Sequence, residues 1–347
     1  MTFALQDISK RVGLGRLAYR LWYRPRQWCD WGRAYGWRLT WRAARGDRPM
    51  AAAARLLPAQ SAAQYRLEIP VYFLTGRHFW HQTAFCVHSL QHFTDTALPL
   101  YFASDGTLDA TIGGRLTTLF PGARILDHHE LDERTAAALP PARYPTLHTH
   151  RRCFVLLRKL TDTLTDGRGY RLFLDSDMLF WRRPDELLRR ARRSEPLYLA
   201  DLGDDGYALP RAVLKQRLGV EPASGVNSGL VGAYAERVDW DLIERACKLL
   251  VAEGRDQRLL EQTLWAVVLA TQEAKPLDAR EYRVVINPPG LRAALAAGRP
   301  ALLHYAWHAR LPYVADEWRR YIETLMPNPG VSVTGAPKPA EPPQEGP

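Results

Sequence analysis

Apolar and polar positions change period repeatedly along this chain. "IPVYFL" (69–74) is a short apolar run ahead of Gly76, which predicts a strand buried on both faces. "WHQTAFCVHSLQHF" (80–93) then carries Trp80, Ala84, Val87 and Leu90 at helical spacing. "LPLYFA" (98–103) predicts the next strand, with "SDG" as a turn, and "ARIL" (123–126) a third. "HTHRRCFVLLRKLTDTL" (149–165) predicts one helix and "RLFL" (171–174) another buried strand. Further on, "LYLA" (197–200), "GLVGA" (229–233), "RVVI" (283–286) and "ALLHYA" (301–306) are strand-like, while "LIERACKLLVAEG" (242–254) and "RLLEQTLWAVVLA" (258–270) are helix-like. Strands alternating with helices predict an α/β fold, a mostly parallel sheet covered by helices.

Both ends depart from this pattern. Five of the eleven tryptophans lie in residues 1–57, with twelve Lys/Arg against three Asp/Glu, whereas the rest of the chain is nearly balanced within a net charge of +10. Trp28 and Trp31, and Trp37 and Trp41, are spaced to share helix faces with arginines beside them. Two readings follow: a helical cap packed on the main domain, or an interfacial segment with tryptophans at headgroup depth and arginines on anionic phosphates of a membrane surface. No zinc-finger, RRM or KH pattern is present, which argues against nucleic acid. The last 21 residues hold seven prolines and no periodicity, the composition of a disordered tail. The expected organisation is a basic, Trp-rich helical extension (1–67), a catalytic domain (68–326) and a Pro-rich tail (327–347).

Cys29, Cys86, Cys153 and Cys247 are far apart and form no CxxC. That spacing argues against a disulfide scaffold or a zinc site and favours a reducing compartment. No signal-peptide core opens the chain and no long apolar run spans a membrane. The expected location is cytoplasmic, or peripheral on the inner face of the membrane.

Candidate chemistry concentrates in "RLFLDSDMLFWRRP" (171–184). Residues i and i+2 of a strand share a side, so Asp175 and Asp177 sit together at the carboxyl end of "RLFL", the edge where open α/β sheets bind ligands. Two adjacent carboxylates repel unless a cation lies between them. Oxygen ligands suit Mg²⁺ or Mn²⁺, and either can hold a diphosphate. An isolated D-x-D also occurs in solvated turns, but apolar residues press this pair from both sides.

Here the sequence resembles nucleotide-sugar-dependent glycosyltransferases of the GT-A fold, close in pattern to the family 8 type. "VYFLTG" resembles their first strand, "LRKLTDTL" the helix that sends a basic residue to the donor, and "LFLDSDMLFWRRPDEL" the D-x-D strand. "GVNSGLVG" resembles the turn beside the sugar site, "EQTLWAVVL" the acidic-Gln helix start, and "LLHYAWHARLPY" the late strand whose His is the third metal ligand. The resemblance spans roughly residues 68–315. The family's H-x-x-G-x-x-K-P-W stretch is here "HYAWHARLPYV", without the Gly and Lys, which leaves Arg310 or His308 to replace the Lys.

The resemblance implies transfer of a sugar from a nucleoside-diphosphate sugar, UDP-sugar favoured, to a glycan or lipid-linked glycan, with retention. It implies a divalent metal held by Asp175, Asp177 and His304, with His308 as rival third ligand; imidazole with carboxylates favours Mn²⁺ over Mg²⁺. Lys159, Ser176, Asn227 and Ser228 are implied donor contacts, as are Thr75 and Gly76 at the end of the first strand. Asp105 either faces the same edge or forms an Asx turn. Glu261 and Gln262, with Asn227, are implied at the reacting centre; a helix's acidic first turn is the plainer reading of the first two. Asn227 and Ser228 themselves read as a Gly-flanked turn, and the carboxylates of "DLGDDGY" (201–207) as a polar loop, with an acceptor contact or a supporting role at the site as the alternative. Two other functions compete. One is a haloacid-dehalogenase-type phosphatase with Asp175 as nucleophile. The other is a non-catalytic membrane-peripheral binding protein on the same fold.

Overall fold

The computed structural model describes residues 22, 24–59, 65–66, 68–94, 96–165, 167–201, 203, 206–254 and 256–325. The expected tail, 327–347, lies outside them, as do Leu202, Asp204 and Asp205. Ten strands of the described residues build two sheets: β1 (Val71–Thr75), β2 (Leu100–Ser104), β3 (Arg124–Leu126), β4 (Tyr170–Leu174), β5 (Met178–Phe180), β6 (Leu197–Ala200), β7 (Val226–Tyr234), β8 (Lys275–Pro276), β9 (Tyr282–Val285) and β10 (Leu302–Tyr305). Seven form one sheet in the order β8-β6-β7-β4-β1-β2-β3. All its pairings are parallel except those of β7, which runs antiparallel to both β4 and β6. The smaller sheet has the order β9-β10-β5, with β10 antiparallel to β5. The predicted mostly parallel α/β sheet is therefore present.

Strand periodicity divides the core. Val71 and Phe73 of β1 join the cluster beneath one face of the sheet, and Tyr72 joins the cluster on the other. Helix α3 (Trp80–Thr94), buried along nearly its whole length, covers the first face; α6 (Trp240–Glu253) and α7 (Leu260–Thr271) cover the second. The basic N-terminal helices are α1 (Arg24–Tyr35) and α2 (Trp37–Ala54). They meet at Gly36, whose φ of 95° lies in the left-handed region that glycine adopts without a Cβ penalty. Met50 and Ala54 of α2 belong to the main core. At Gly46 an added Cβ would lie 2.3 Å from the Val314 carbonyl oxygen, so α2 packs closely on the domain.

Two local expectations are corrected. The segment 149–165 is not one helix but α4 (Pro145–Cys153), a single 3-10 turn and α5 (Arg158–Leu164), separated by extended Phe154. An ion pair rewards the break: Arg151 Nε on α4 lies 2.6 Å from Asp162 on α5, and both side chains are buried. Asn227 and Ser228 do not form a turn; they are strand residues at the start of β7. Pairing with both neighbours (Leu199 opposite Asn227, Leu174 opposite Leu230) overrides the local turn signal.

Candidate active site

The topology gathers chemistry at one sheet edge. β1, β4 and β6 end there, and because β7 is antiparallel it begins there, bringing Asn227 and Ser228 beside Asp175. The Asp175 N–H donates to the Gly229 carbonyl at 2.7 Å. β10 then delivers His304: its register sets His304 opposite Met178, and Tyr305 N–H donates to the Asp177 carbonyl at 2.8 Å. His304 Nε2 lies 3.3 Å from Asp177 Oδ1 and 3.9 Å from Asp175 Oδ2. One donor atom from each of the three lies within 4.8 Å of the others. His308 is not in this group; its Nδ1 bonds the Tyr35 hydroxyl at 2.8 Å.

These residues fit a divalent cation. Ligands about 2.1 Å from a small octahedral cation are about 3 Å apart when adjacent; the His304–Asp177 separation of 3.3 Å is near this, and the His304–Asp175 separation of 3.9 Å is wider. The tautomer of His304 fits as well. Its Nδ1 is 3.0 Å from Asn227 Oδ1, an oxygen that also accepts from Gly229 N–H at 3.0 Å, while Asn227 Nδ2 donates to Asp201 at 3.3 Å. The amide is thus oriented so that Nδ1 carries the proton. In the neutral ring, Nε2 turns a lone pair toward two carboxylates, which is unfavourable without a cation between them.

Cations border the pair. Arg310 Nε lies 2.6 Å from Asp177 Oδ2. Burial would raise the Asp177 pKa, but the Arg310 charge, joined by His304 only when its ring is protonated, overrides it and holds this carboxyl well below the usual range. Lys159 is buried on α5, 2.8 Å from Asp175 and 3.4 Å from Glu261. Burial opposes its charge, and Asp175 and Glu261 more than compensate, so its pKa is raised. Glu261 accepts from Ser228 Oγ at 2.9 Å. Burial pushes its pKa up to about 7, against Lys159 and with help from Asp175. Gln262 donates to the Gly206 carbonyl at 2.9 Å and to Asp201 at 3.4 Å.

Asp175, Asp177, His304, Lys159, Asn227, Ser228, Glu261 and Gln262 therefore form one constellation, directly or through Asp201. Thr75 and Ser176 lie beneath it, each 2.7 Å from the Thr83 hydroxyl in a buried chain that pins the D-S-D loop to α3. Gly76 and Asp105 pack on one another: an added Cβ at Gly76 would fall 1.9 Å from the Asp105 carboxylate. That carboxylate caps its own turn through Thr107 N–H at 2.8 Å. Thr83 was not legible as a site residue, Asp201 only within its loop, and Gly229 only as part of the N-S-G stretch. An added Cβ at Gly229 would stand 2.4 Å from His304 Cε1, so the glycine makes room for the imidazole.

No family model matches this chain, nor does any curated protein. Comparison with solved structures returns glycosyltransferases at low identity. The bifunctional glycosyltransferase WbbM shares 13% identity over 77% of this chain and 53% of its own, with a TM-score of 0.45. Mouse xyloside xylosyltransferase 1 shares 12% over 69% of this chain and 97% of its own, at 0.43. The galactosyltransferase LgtC, in complex with donor and acceptor sugar analogues, shares 15% over 73% and 99%, at 0.40. This chain thus spans about half of WbbM. Similarity at this level assigns no activity.

Proposed function

We propose that this chain is a metal-dependent glycosyltransferase that moves a sugar from a nucleoside-diphosphate sugar to a glycan or lipid-linked glycan. The observation that carries the reading is the meeting of Asp175, Asp177 and His304, from two distant segments, at the carboxyl edge of a mostly parallel sheet. These three residues would hold a divalent cation, with Mn²⁺ favoured over Mg²⁺ because one donor is an imidazole. When bound, the cation neutralises charge on a departing diphosphate. Arg310, paired with Asp177 through Nε, is the guanidinium suited to a diphosphate oxygen. Lys159 holds Asp175 in place, and Asn227 fixes the His304 tautomer.

Retention of anomeric configuration is the favoured outcome. An inverting enzyme needs a general base at the acceptor hydroxyl, and no described carboxylate of this constellation stands apart from the metal and cation network to serve as one. Each described carboxylate here already has partners: Asp175 has Lys159, Asp177 has Arg310 and His304, Glu261 has Lys159 and Ser228, and Asp201 has Asn227 and Gln262. Glu261 and Gln262 then border the reacting centre, and Thr75, Gly76, Asp105 and Ser176 the nucleotide side. A UDP-sugar is the favoured donor. The described helices include none long and apolar enough to cross a membrane, and a lipid-linked acceptor fits a peripheral position on the inner membrane face.

The test is thermal unfolding with a panel of nucleotide sugars, with and without Mn²⁺ or Mg²⁺, for wild type and Asp177→Ala. A ligand that binds the native state raises the melting temperature. The expected result is one sugar nucleotide that shifts wild type only with metal, the shift being absent in the variant. A panel that shifts neither protein with either metal sinks the reading.

A further inference from the structure

Helix α2 has two unlike faces. Thr40, Ala43, Gly46, Met50 and Ala54 are buried against the domain. The opposite arc carries Trp37, Arg38, Trp41, Arg45 and Arg48, all exposed, with Trp37 58% and Trp41 54% accessible. No acidic side chain shares that arc: Asp47 stands on the domain side, 3.5 Å from His81. Arg45 lies over the Trp41 ring at 4.0 Å. Trp28 of α1 joins Trp37 and Trp41 in lining an open groove of about 480 Å³. An ordinary water-facing helix mixes both charge signs and carries few large apolar side chains. This arc has one sign and two indoles, which matches the interface of an anionic bilayer, where indoles sit at headgroup depth and guanidinium groups meet phosphates.

We propose that the outer face of α2, with Trp28, docks on the surface of an anionic phospholipid bilayer. This deepens the peripheral location proposed above by naming the surface and the lipid charge. Docking would also orient the candidate site. Tyr35 at the end of α1 bonds His308, two residues before Arg310, which holds Asp177. A short path of contacts therefore links the docking helices to the D-x-D edge.

The test uses the full chain with vesicles of phosphatidylcholine alone or mixed with phosphatidylglycerol, read by co-sedimentation. The expected result is binding to the mixed vesicles only, weakened by salt, with tryptophan emission quenched by brominated acyl chains. Trp41→Ala and the pair Arg38→Glu/Arg45→Glu should each weaken binding about tenfold or more while keeping the wild-type melting temperature. Trp41 is preferred to Trp37, whose ring covers Gly32 and joins α1 to α2. Equal binding to both vesicle types, binding without bromine quenching, or a Trp41-dependent dimer or single-stranded DNA complex in place of vesicle binding would each overturn the proposal. Vesicle binding is read without any donor, so failure of the nucleotide-sugar panel leaves it standing, and the reverse also holds.

Discussion

Alanine at Gly229 is the sharpest probe of how the site is built. The new methyl group would lie 2.4 Å from His304 Cε1, 2.6 Å from its Nδ1 and 2.8 Å from Asn227 Oδ1. Carbon atoms pack at about 3.5–4 Å, so about 1 Å must be found. The backbones are poorly placed to yield it: His304 pairs with Val284 on one side and Met178 on the other, and β7 is held by both β4 and β6. The imidazole must therefore turn off Asn227. Losing that hydrogen bond costs about 1 kcal/mol and overpacking about 1–3 kcal/mol, a total of roughly 2–4 kcal/mol. Nε2 also moves, and metal ligands tolerate only about 0.2 Å of displacement. Urea denaturation should show the lost stability, and thermal unfolding should show no metal-dependent shift. A Gly229→Ala protein within about 0.5 kcal/mol of wild type that keeps the full metal shift would refute this account of the site.

Three other outcomes are expected. Asp162→Ala leaves Arg151 and Arg158 with only Asp132, and urea denaturation should show a loss of about 3–5 kcal/mol; a loss under 1 kcal/mol would contradict the assigned burial of that cluster. The folded pKa of Glu261, about 7, lies above its ordinary 4.5. Its contribution to stability is thus full below about pH 4.5 and is lost as pH rises through about 7, an effect of about 3 kcal/mol. Glu261→Gln should flatten the wild-type decline of unfolding free energy across that range, and an unchanged slope would disprove the raised value. For Arg310→Ala, calorimetry should find metal binding at least as tight as in wild type, since a competitor for Asp177 is gone. Nucleotide-sugar binding should weaken roughly 10–100-fold, the worth of one charge-assisted contact; unchanged donor affinity would remove Arg310 from the diphosphate.

Much of the fold was legible because strand burial writes itself into short apolar runs. "LYLA" matches β6 residue for residue, and "RLFL" misses β4 by one. The errors arose where partners outside the local window decide. Helical period within 149–165 does not announce the break at Phe154, because what favours it is an Arg151–Asp162 bond across the gap, shared with Asp132 from outside the segment. The N-S-G stretch has turn chemistry, yet two flanking strands draw it into β7. The aspartates of the D-x-D pair, Asp175 and Asp177, could be named in advance as candidates, and His304 only as one of two candidate histidines. How a residue makes room or relays orientation could not be read: Gly229 matters only because His304 arrives beside it, and Asp201, legible only within its loop, because Asn227 and Gln262 both turn toward it.

The sequence by itself determined the α/β class, the D-x-D pair at a strand end and the basic, Trp-rich character of the N-terminal helices, since each is a local property of composition and period. Only the tertiary structure decided that His304 rather than His308 meets the aspartates, because the antiparallel β5–β10 register sets His304 beside the pair while Tyr35 takes His308. It also decided which face of α2 is left outward. Helical period sorts residues onto faces, but only the close packing of Gly46 on Val314 selects the face that meets the core, and so leaves the arginines and tryptophans to the solvent.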